Sequence, residues 1–397
     1  MSDAARAAMR PIYLDYNATT PIAPGVVDAM LPFLRDDFGN PSSSHMLGRR
    51  AHDAIETARG EVAALIGAHP DEIVFTSGGT EAINLAIRGA ARRGTEKLPI
   101  VTSHIEHPAT DGPCALLVQR GYPLKRLGAR PDGIVDLDEA AATIRAGAGL
   151  VTLIHAQNEI GTLQPVAEIA ALAHEQGALL HIDAAQSVGK VPVDVQSMGV
   201  DLLSIAGHKL YAPKGVGALY IRRGVALEPL LRGAGQESGR RPGTENVPYI
   251  VGLGEACRLA AIRLGDETHE IESLANELLE RLRRGVPDLM LVGHPTQRLP
   301  NTLNVLFPGV SGRQLLEACP NVLASTGSAC HADREEASPI LRALGIPEEK
   351  ALGAVRLSLG VPTTRQDVEK AASALGAAWR AISGNSTNTA KRSKAAV

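Results

Sequence analysis

Five short apolar runs in the middle of the chain each end on residues able to do chemistry. "EIVFTSGGT" ends in Gly78, Gly79 and Thr80, "PIVTSHIEH" in Glu106 and His107, and "LVTLIHAQNE" in Asn158 and Glu159. "ALLHIDAAQ" carries Asp183 and Gln186, and "DLLSIAGHK" ends in His208 and Lys209. Taken singly, each has an ordinary explanation. Gly-Gly turns often precede helices, a carboxylate after a strand commonly caps the next helix, and lysines are almost never buried without a partner.

Taken together, the five ends match the needs of one ligand. Successive backbone N–H groups after Gly78, at the positive end of the following helix, suit a phosphate. A lysine amine can form a Schiff base with an aldehyde, and a facing carboxylate can hold a proton on a ring nitrogen. Phosphate, aldehyde and protonated pyridine are the parts of pyridoxal phosphate. Lys209 would then be a covalent tether rather than a buried ammonium, which removes the cost of burying its charge.

Residues at strand ends converge only if the strands are parallel and neighbouring, because ligands of open α/β sheets bind beyond the carboxyl ends of the strands. From about residue 60 to 260 apolar runs alternate with amphipathic stretches such as "EAINLAIRGAARRG" and "PVAEIAALAHEQG", which predicts an α/β domain with a mainly parallel sheet. "GALYI" follows "SIAGHK" too closely for a helical crossover, so an antiparallel pair is expected there. Beyond about residue 260 a long charged helix, "RLGDETHEIESLANELLERLRRG", precedes "NTLNVLF", "VLAS" and "VRLSLG", and Thr364 with Asp367 reads as a capping box for a last helix. The expected organisation is a large α/β domain over 18–261, a smaller α+β domain from 1–17 and 262–383, and a disordered tail over 384–397.

At 397 residues, with 44% hydrophobic and 21% charged residues, the composition is that of a folded globular protein. A formal charge of −3 and 3% aromatic residues speak against direct binding of nucleic acid or an anionic membrane. "MSDAARAAMRP" lacks the apolar run of a signal peptide, and no stretch reaches membrane-spanning length, so a cytoplasmic protein is expected. The four cysteines show no zinc-like spacing and no metal is expected. Cys114, Cys257 and Cys319 read as small buried hydrophobes. Cys330, in "STGSACHADREEASP", heads a segment too polar for a core and reads as an exposed, reactive thiol.

"YLDYNATTP", "GNPSSSHMLGR", "FTSGGTEAINL", "EHPA", "QNEIGTLQP", "HIDAAQSVGK", "GHKLYAPKGVGALY", "RPGTENV", "STGSACH" and "VRLSLG" occur in this order from about residue 11 to 375. As a set they resemble the cysteine desulfurases and the closely related selenocysteine lyases. The resemblance implies the pyridoxal-phosphate-dependent transferase fold type I, class V aminotransferase-like, with a mainly parallel seven-stranded sheet. It implies that Lys209 is the Schiff-base lysine, that Asp183 pairs with the pyridine nitrogen, and that His107 stacks on the ring and moves protons. Asn158 and Gln186 would bond the ring hydroxyl, and Gly79, Thr80 and His208 the phosphate, joined by Thr244 from the other subunit of a homodimer. Arg356 would grip the substrate carboxylate, for which a forked guanidinium is apt, with Asn40 and His45 in the substrate-side loop. Cys330 would take sulfur from L-cysteine as a persulfide, leave L-alanine, and pass the sulfur to an acceptor protein for iron–sulfur assembly or thio-modification; L-selenocysteine is the alternative substrate. One position departs from the pattern: Ala206 stands where many relatives carry a hydroxyl, which removes one expected phosphate contact.

Three other readings make different demands. A transaminase or lyase would keep Lys209 and Asp183 without needing Cys330. A non-catalytic scaffold would need neither. A nucleotide-binding enzyme finds only "GAGQESG" at 233–239, which misses the glycine register of a dinucleotide loop and does not lie between a strand and its helix.

Overall fold

A computed structural model describes residues 11–92, 96–326 and 336–394, with side chains as far as residue 383. The chain opens with β1 (Ile12–Tyr13), α1 (Pro24–Arg35) and α2 (Met46–Leu65). Strands β2 (Ile73–Thr76), β3 (Ile100–Ser103), β4 (Leu124–Leu127), β5 (Leu150–Ile154) and β6 (Leu179–Asp183) then alternate with α3 (Gly79–Ala91), α4 (Pro108–Gln119), α5 (Leu137–Arg145) and α6 (Val166–Glu175). β7 (Leu202–Ala206) and β8 (Gly217–Ile221) complete a seven-stranded sheet in the order β2-β8-β7-β6-β5-β3-β4.

Every residue of β5, β6 and β7 is buried, which is why these strands read as unbroken apolar runs. β4, β3, β5, β6 and β7 run parallel, whereas β8 is antiparallel to both β7 and β2. The turn between Ala206 and Gly217 is too short for a crossover, as expected from the sequence. From β3 the chain crosses to β4 on one side, and from β5 it crosses to β6 on the other. β3 and β5 are neighbours, so the sheet has its topological switch point between them, and a crevice forms past their carboxyl ends.

A second core gathers Ile12, Leu14, Leu274, Leu278, Leu282, Leu303, Val305, Leu357 and Leu375. It is built from α8 (Asp266–Gly285), the antiparallel sheet of β9 (Met290–Val292), β10 (Thr302–Leu306) and β12 (Ala354–Ser358), the β1–β11 pair with β11 at Val322–Leu323, and α12 (Arg365–Lys394). Leu274, Leu278 and Leu282 fall one helical turn apart and form the buried stripe of α8. Residues Ala337, Ile340, Leu341 and Ala351, from α10 (Pro339–Ala343), α11 (Glu348–Ala351) and their approach, pack into the larger core. The remaining helices are α7 (Val247–Arg263) and α9 (Gly312–Glu317).

One local expectation changes. The long charged helix does not start at Arg263: Gly265, at φ 115°, breaks the chain between α7 and α8. α12 extends to Lys394, the last described residue. The capping box is present, with Thr364 N donating to Asp367 Oδ2 at 2.9 Å and Asp367 N to Thr364 Oγ1 at 3.2 Å. Among the described residues no helix is long and apolar enough to cross a membrane.

Candidate active site

Beyond the carboxyl ends of the strands lies a cleft of about 350 Å³. Gly79, Thr80, His107, Asn158, Asp183, Gln186, His208, Lys209 and Arg356 all line it, with Asn17, Ala18 and Ala206. Several different elements deliver them. Thr80 lies in the first turn of α3, and His107 is the N-cap of α4. Asn158 follows β5, Asp183 ends β6, and Lys209 closes a single 3-10 turn after β7. Arg356 comes from β12, in the other core.

The turn before Lys209 requires glycine at 207, because a Cβ there would lie 2.8 Å from the Val216 carbonyl oxygen. Lys209 Nζ donates to the carbonyl oxygens of Asn17 at 2.7 Å and Ala18 at 2.8 Å. Burial, aided by the Arg356 charge and opposed by Asp15 and Asp183, lowers its pKa to about 8. Such an amine is partly neutral near pH 7 and is a competent nucleophile for an aldehyde.

Asp183 is 3% exposed, accepts one bond from Ala185 N at 3.0 Å, and forms no ion pair among the described residues. Burial pushes its pKa up, against the pull of the Ala185 N–H, His107 and Lys209. A buried, unpaired carboxylate facing a cleft suits a ligand that brings its own proton or positive charge. His107 Nδ1 accepts from Ala109 N at 3.1 Å, so the neutral ring carries its proton on Nε2. Burial lowers the pKa of His107, partly offset by Asp183.

At the other end of the cleft α3 begins at Gly79, whose own Cβ would lie 3.0 Å from the Ala206 methyl. His208 Nδ1 is 3.1 Å from Thr19 Oγ1, and burial with the charges of Lys209, Lys214 and Lys190 lowers its pKa to about 4. Helix N–H groups, Thr80 and His208 lie where they could donate to a phosphate, and the methyl of Ala206 offers no such donor. Arg356 is 7% exposed; its Nη2 donates to Asp15 Oδ1 at 2.7 Å and its Nη1 to Asn158 O at 3.2 Å, while Nε has no partner.

Three expected residues lie elsewhere. Asn40 and His45 are exposed in the loop between α1 and α2, where Asn40 Oδ1 accepts from Ser42 N at 2.9 Å and His45 Nδ1 caps α2 through Gly48 N at 3.2 Å. Thr244 is exposed in the segment before α7. Cys330 lies outside the described residues. The chain leading to it is anchored at Ser325, which exchanges backbone hydrogen bonds of 2.7 and 3.3 Å with Arg356. Cys114, Cys257 and Cys319 are free and buried, and burial pushes the Cys114 thiol up to about 12. The "GAGQESG" loop is occupied with packing, since Glu237 at φ 48° makes two 2.8 Å bonds to Arg59 and another to Phe75 N.

Sequence reasoning passed over the residue on which the site turns. Asn17 receives Lys209 and Gln186 Nε2 on its carbonyl oxygen, and its Oδ1 accepts from Lys190 and Asn301. Its Nδ2 donates to Thr302 Oγ1 at 2.8 Å and Asn158 O at 3.2 Å. The only signal was its place in "YLDYNATTP", where nothing marks it as other than a turn residue.

The chain matches the family "Aminotransferase class-V" over residues 12–371. It is 45% identical over 364 residues to a protein named cysteine desulfurase from Nostoc sp. (strain PCC 7120), covering 91% of each chain. A solved "NifS-like protein" superposes with a TM-score of 0.87 at 34% identity, covering 94% of this chain and 99% of that one. Another, described as SspA in complex with cysteine, gives a TM-score of 0.76 at 38% identity, covering 87% and 98%. By fold, cleft and likeness along nearly its whole length, the chain belongs to the cysteine desulfurase family of class-V aminotransferases.

Proposed function

We propose that the protein is a pyridoxal-phosphate-dependent cysteine desulfurase. One observation carries this: Lys209, Asp183 and His107, from the ends of three parallel strands of one sheet, and Arg356, from the middle of β12 in the other core, line a single cleft. The similarity to named cysteine desulfurases, and to a structure holding cysteine, supports it.

The residues present fit the cofactor. When bound, pyridoxal phosphate supplies an aldehyde for attachment and an electron-poor ring that accepts negative charge from the substrate. Lys209 offers the amine, already lowered to about 8. Asp183 would hold a proton on the ring nitrogen, and the cofactor's positive edge would relieve its unpaired burial. Asn158 and Gln186 would meet the ring hydroxyl, and Gly79, Thr80 and His208 the phosphate. His107, with its proton on Nε2, can stack and exchange that proton. Arg356 would take the substrate carboxylate on its unpartnered side. Thr244, Asn40 and His45 are exposed and away from their own cleft, which favours a homodimer in which a second copy supplies them.

The overall conversion balances as L-cysteine plus a protein thiol giving L-alanine plus a protein persulfide. The thiol is that of Cys330, five residues after Ser325, which exchanges backbone hydrogen bonds with Arg356, and the persulfide then passes its outer sulfur to an acceptor thiol. The test is to supply the purified protein with pyridoxal phosphate, L-cysteine and a thiol reductant, with L-selenocysteine in parallel. Equal yields of alanine and sulfide are expected. Lys209→Ala should lose both the yellow colour and turnover; Cys330→Ser should keep the colour and lose sulfide release. Full turnover in Cys330→Ser, or a colourless wild-type protein, would overturn the proposal.

A further inference from the structure

Lys190 is a second lysine beside Lys209, and the mechanism above leaves it without a task. Its Nζ donates to Gln186 Oε1 at 2.6 Å and to Asn17 Oδ1 at 3.1 Å, and it forms no ion pair among the described residues. The other end of the Gln186 amide, Nε2, donates to the Asn17 carbonyl oxygen at 2.9 Å, the same oxygen that receives Lys209 Nζ.

A side-chain amide has one accepting and one donating end, and the two are interchanged by a half-turn. A lysine has only donors. The amine of Lys190 therefore settles which way Gln186 points, with the carbonyl toward Lys190 and the NH2 toward the cleft. One N–H is taken by Asn17, which leaves the second for a ligand. We propose that Lys190 is a positioning residue that locks the Gln186 amide, so that Gln186 meets the cofactor's ring hydroxyl as a donor and never as an acceptor. This rests on the pyridoxal phosphate assignment above.

The surroundings suit such a post. Burial and the charges of Lys209 and Arg356 hold the Lys190 pKa well below the ordinary lysine range. A second cavity, of about 50 Å³, borders both amines, and the one acid on its lining, Glu267, pairs with Arg263 at 3.3 Å. The nearby acids are already engaged or distant in role: Asp15 pairs with Arg356, and Asp183 accepts from Ala185. With no carboxylate of its own, Lys190 is held by two side-chain carbonyls, and its contribution is directional rather than ionic.

The test compares wild type, Lys190→Met, Gln186→Ala and the double variant in the cofactor-loaded protein. The readouts are the apparent pKa of the visible chromophore and the dissociation constant for pyridoxal phosphate. A ring oxygen deprived of its N–H donor holds a proton more tightly, so the chromophore pKa should rise by about one unit in Lys190→Met, with about tenfold weaker binding. Gln186→Ala should shift it the same way, and the double variant should match Gln186→Ala alone, because residues acting through one contact are not additive. An unchanged pKa in Lys190→Met, or effects that add in full, would overturn the lock. Lys190→Arg keeps a side chain with donors only and serves if the methionine variant does not fold. It should stay near wild type, and a full shift there would refute the proposal. A wild-type protein that forms no chromophore would instead remove the cofactor assignment, so the two failures are distinguishable.

Discussion

Replacing Asp183 with asparagine should make the cofactor-free protein more stable while weakening its hold on the cofactor. Asp183 is 3% exposed, with one N–H donor and no ion pair among the described residues. Asparagine keeps the shape and the acceptor for Ala185 N, and it removes the charge. Desolvating an unpaired ion costs several kcal/mol, limited here because the acid can protonate, so a net gain of about 1–3 kcal/mol is reasonable at pH 8. At about 2 °C per kcal/mol for a large chain, the melting temperature of the cofactor-free variant should rise by about 2–6 °C. The sign follows from the raised pKa: the folded state binds the proton more tightly than the unfolded state, so the penalty is absent at low pH and grows as pH rises. Melting curves of both cofactor-free proteins at pH 5 and pH 8 should therefore diverge mainly at pH 8. Affinity for pyridoxal phosphate should fall about tenfold to hundredfold, the worth of a charge-assisted bond. An equal or lower melting temperature at pH 8 would refute the claim that this carboxyl group is buried without a compensating charge.

Other expectations rest on single contacts. Glu106 is buried, accepts from Ser103 Oγ at 2.5 Å and Ile154 N at 3.2 Å, has an unpartnered Oε2, and is pushed up from 4.5 to about 8. It costs stability as pH rises from 4.5 toward 8, so Glu106→Gln should flatten the decline in urea midpoint across that window. Ala206→Ser would place a hydroxyl beside Gly79 at the phosphate end, and cofactor titration should show about tenfold tighter binding. Arg356→Lys gives up the forked geometry and should raise KM for L-cysteine at least about tenfold, measured by steady-state kinetics.

What the sequence disclosed was the strand-end chemistry, because a buried parallel strand is a continuous apolar run and its first polar residues stand out. Gly79, His107, Asn158, Asp183 and Lys209 could be read in that way. Asn17 and Lys190 could not, since their importance arises from hydrogen bonds to residues far away in sequence, such as Asn17 to Thr302. The break at Gly265 was missed because a single glycine in a charged amphipathic stretch is tolerable in a helix; only its φ of 115° makes it a boundary. Thr244, Asn40 and His45 could be named from motifs, but motif position alone does not reveal that all three are exposed and away from the cleft of this chain.

The seat of the reactive amine is stitched from opposite ends of the polypeptide. Asn17 leaves the ribosome early, yet its bonds run to Lys190 and Lys209 in mid-chain and to Asn301, Thr302 and Ser358 near the end. A chain that stopped before Asn301 would lack the Asn301, Thr302 and Ser358 partners of Asn17 altogether, so the loop that receives Lys209 is complete only when both ends of the polypeptide are present.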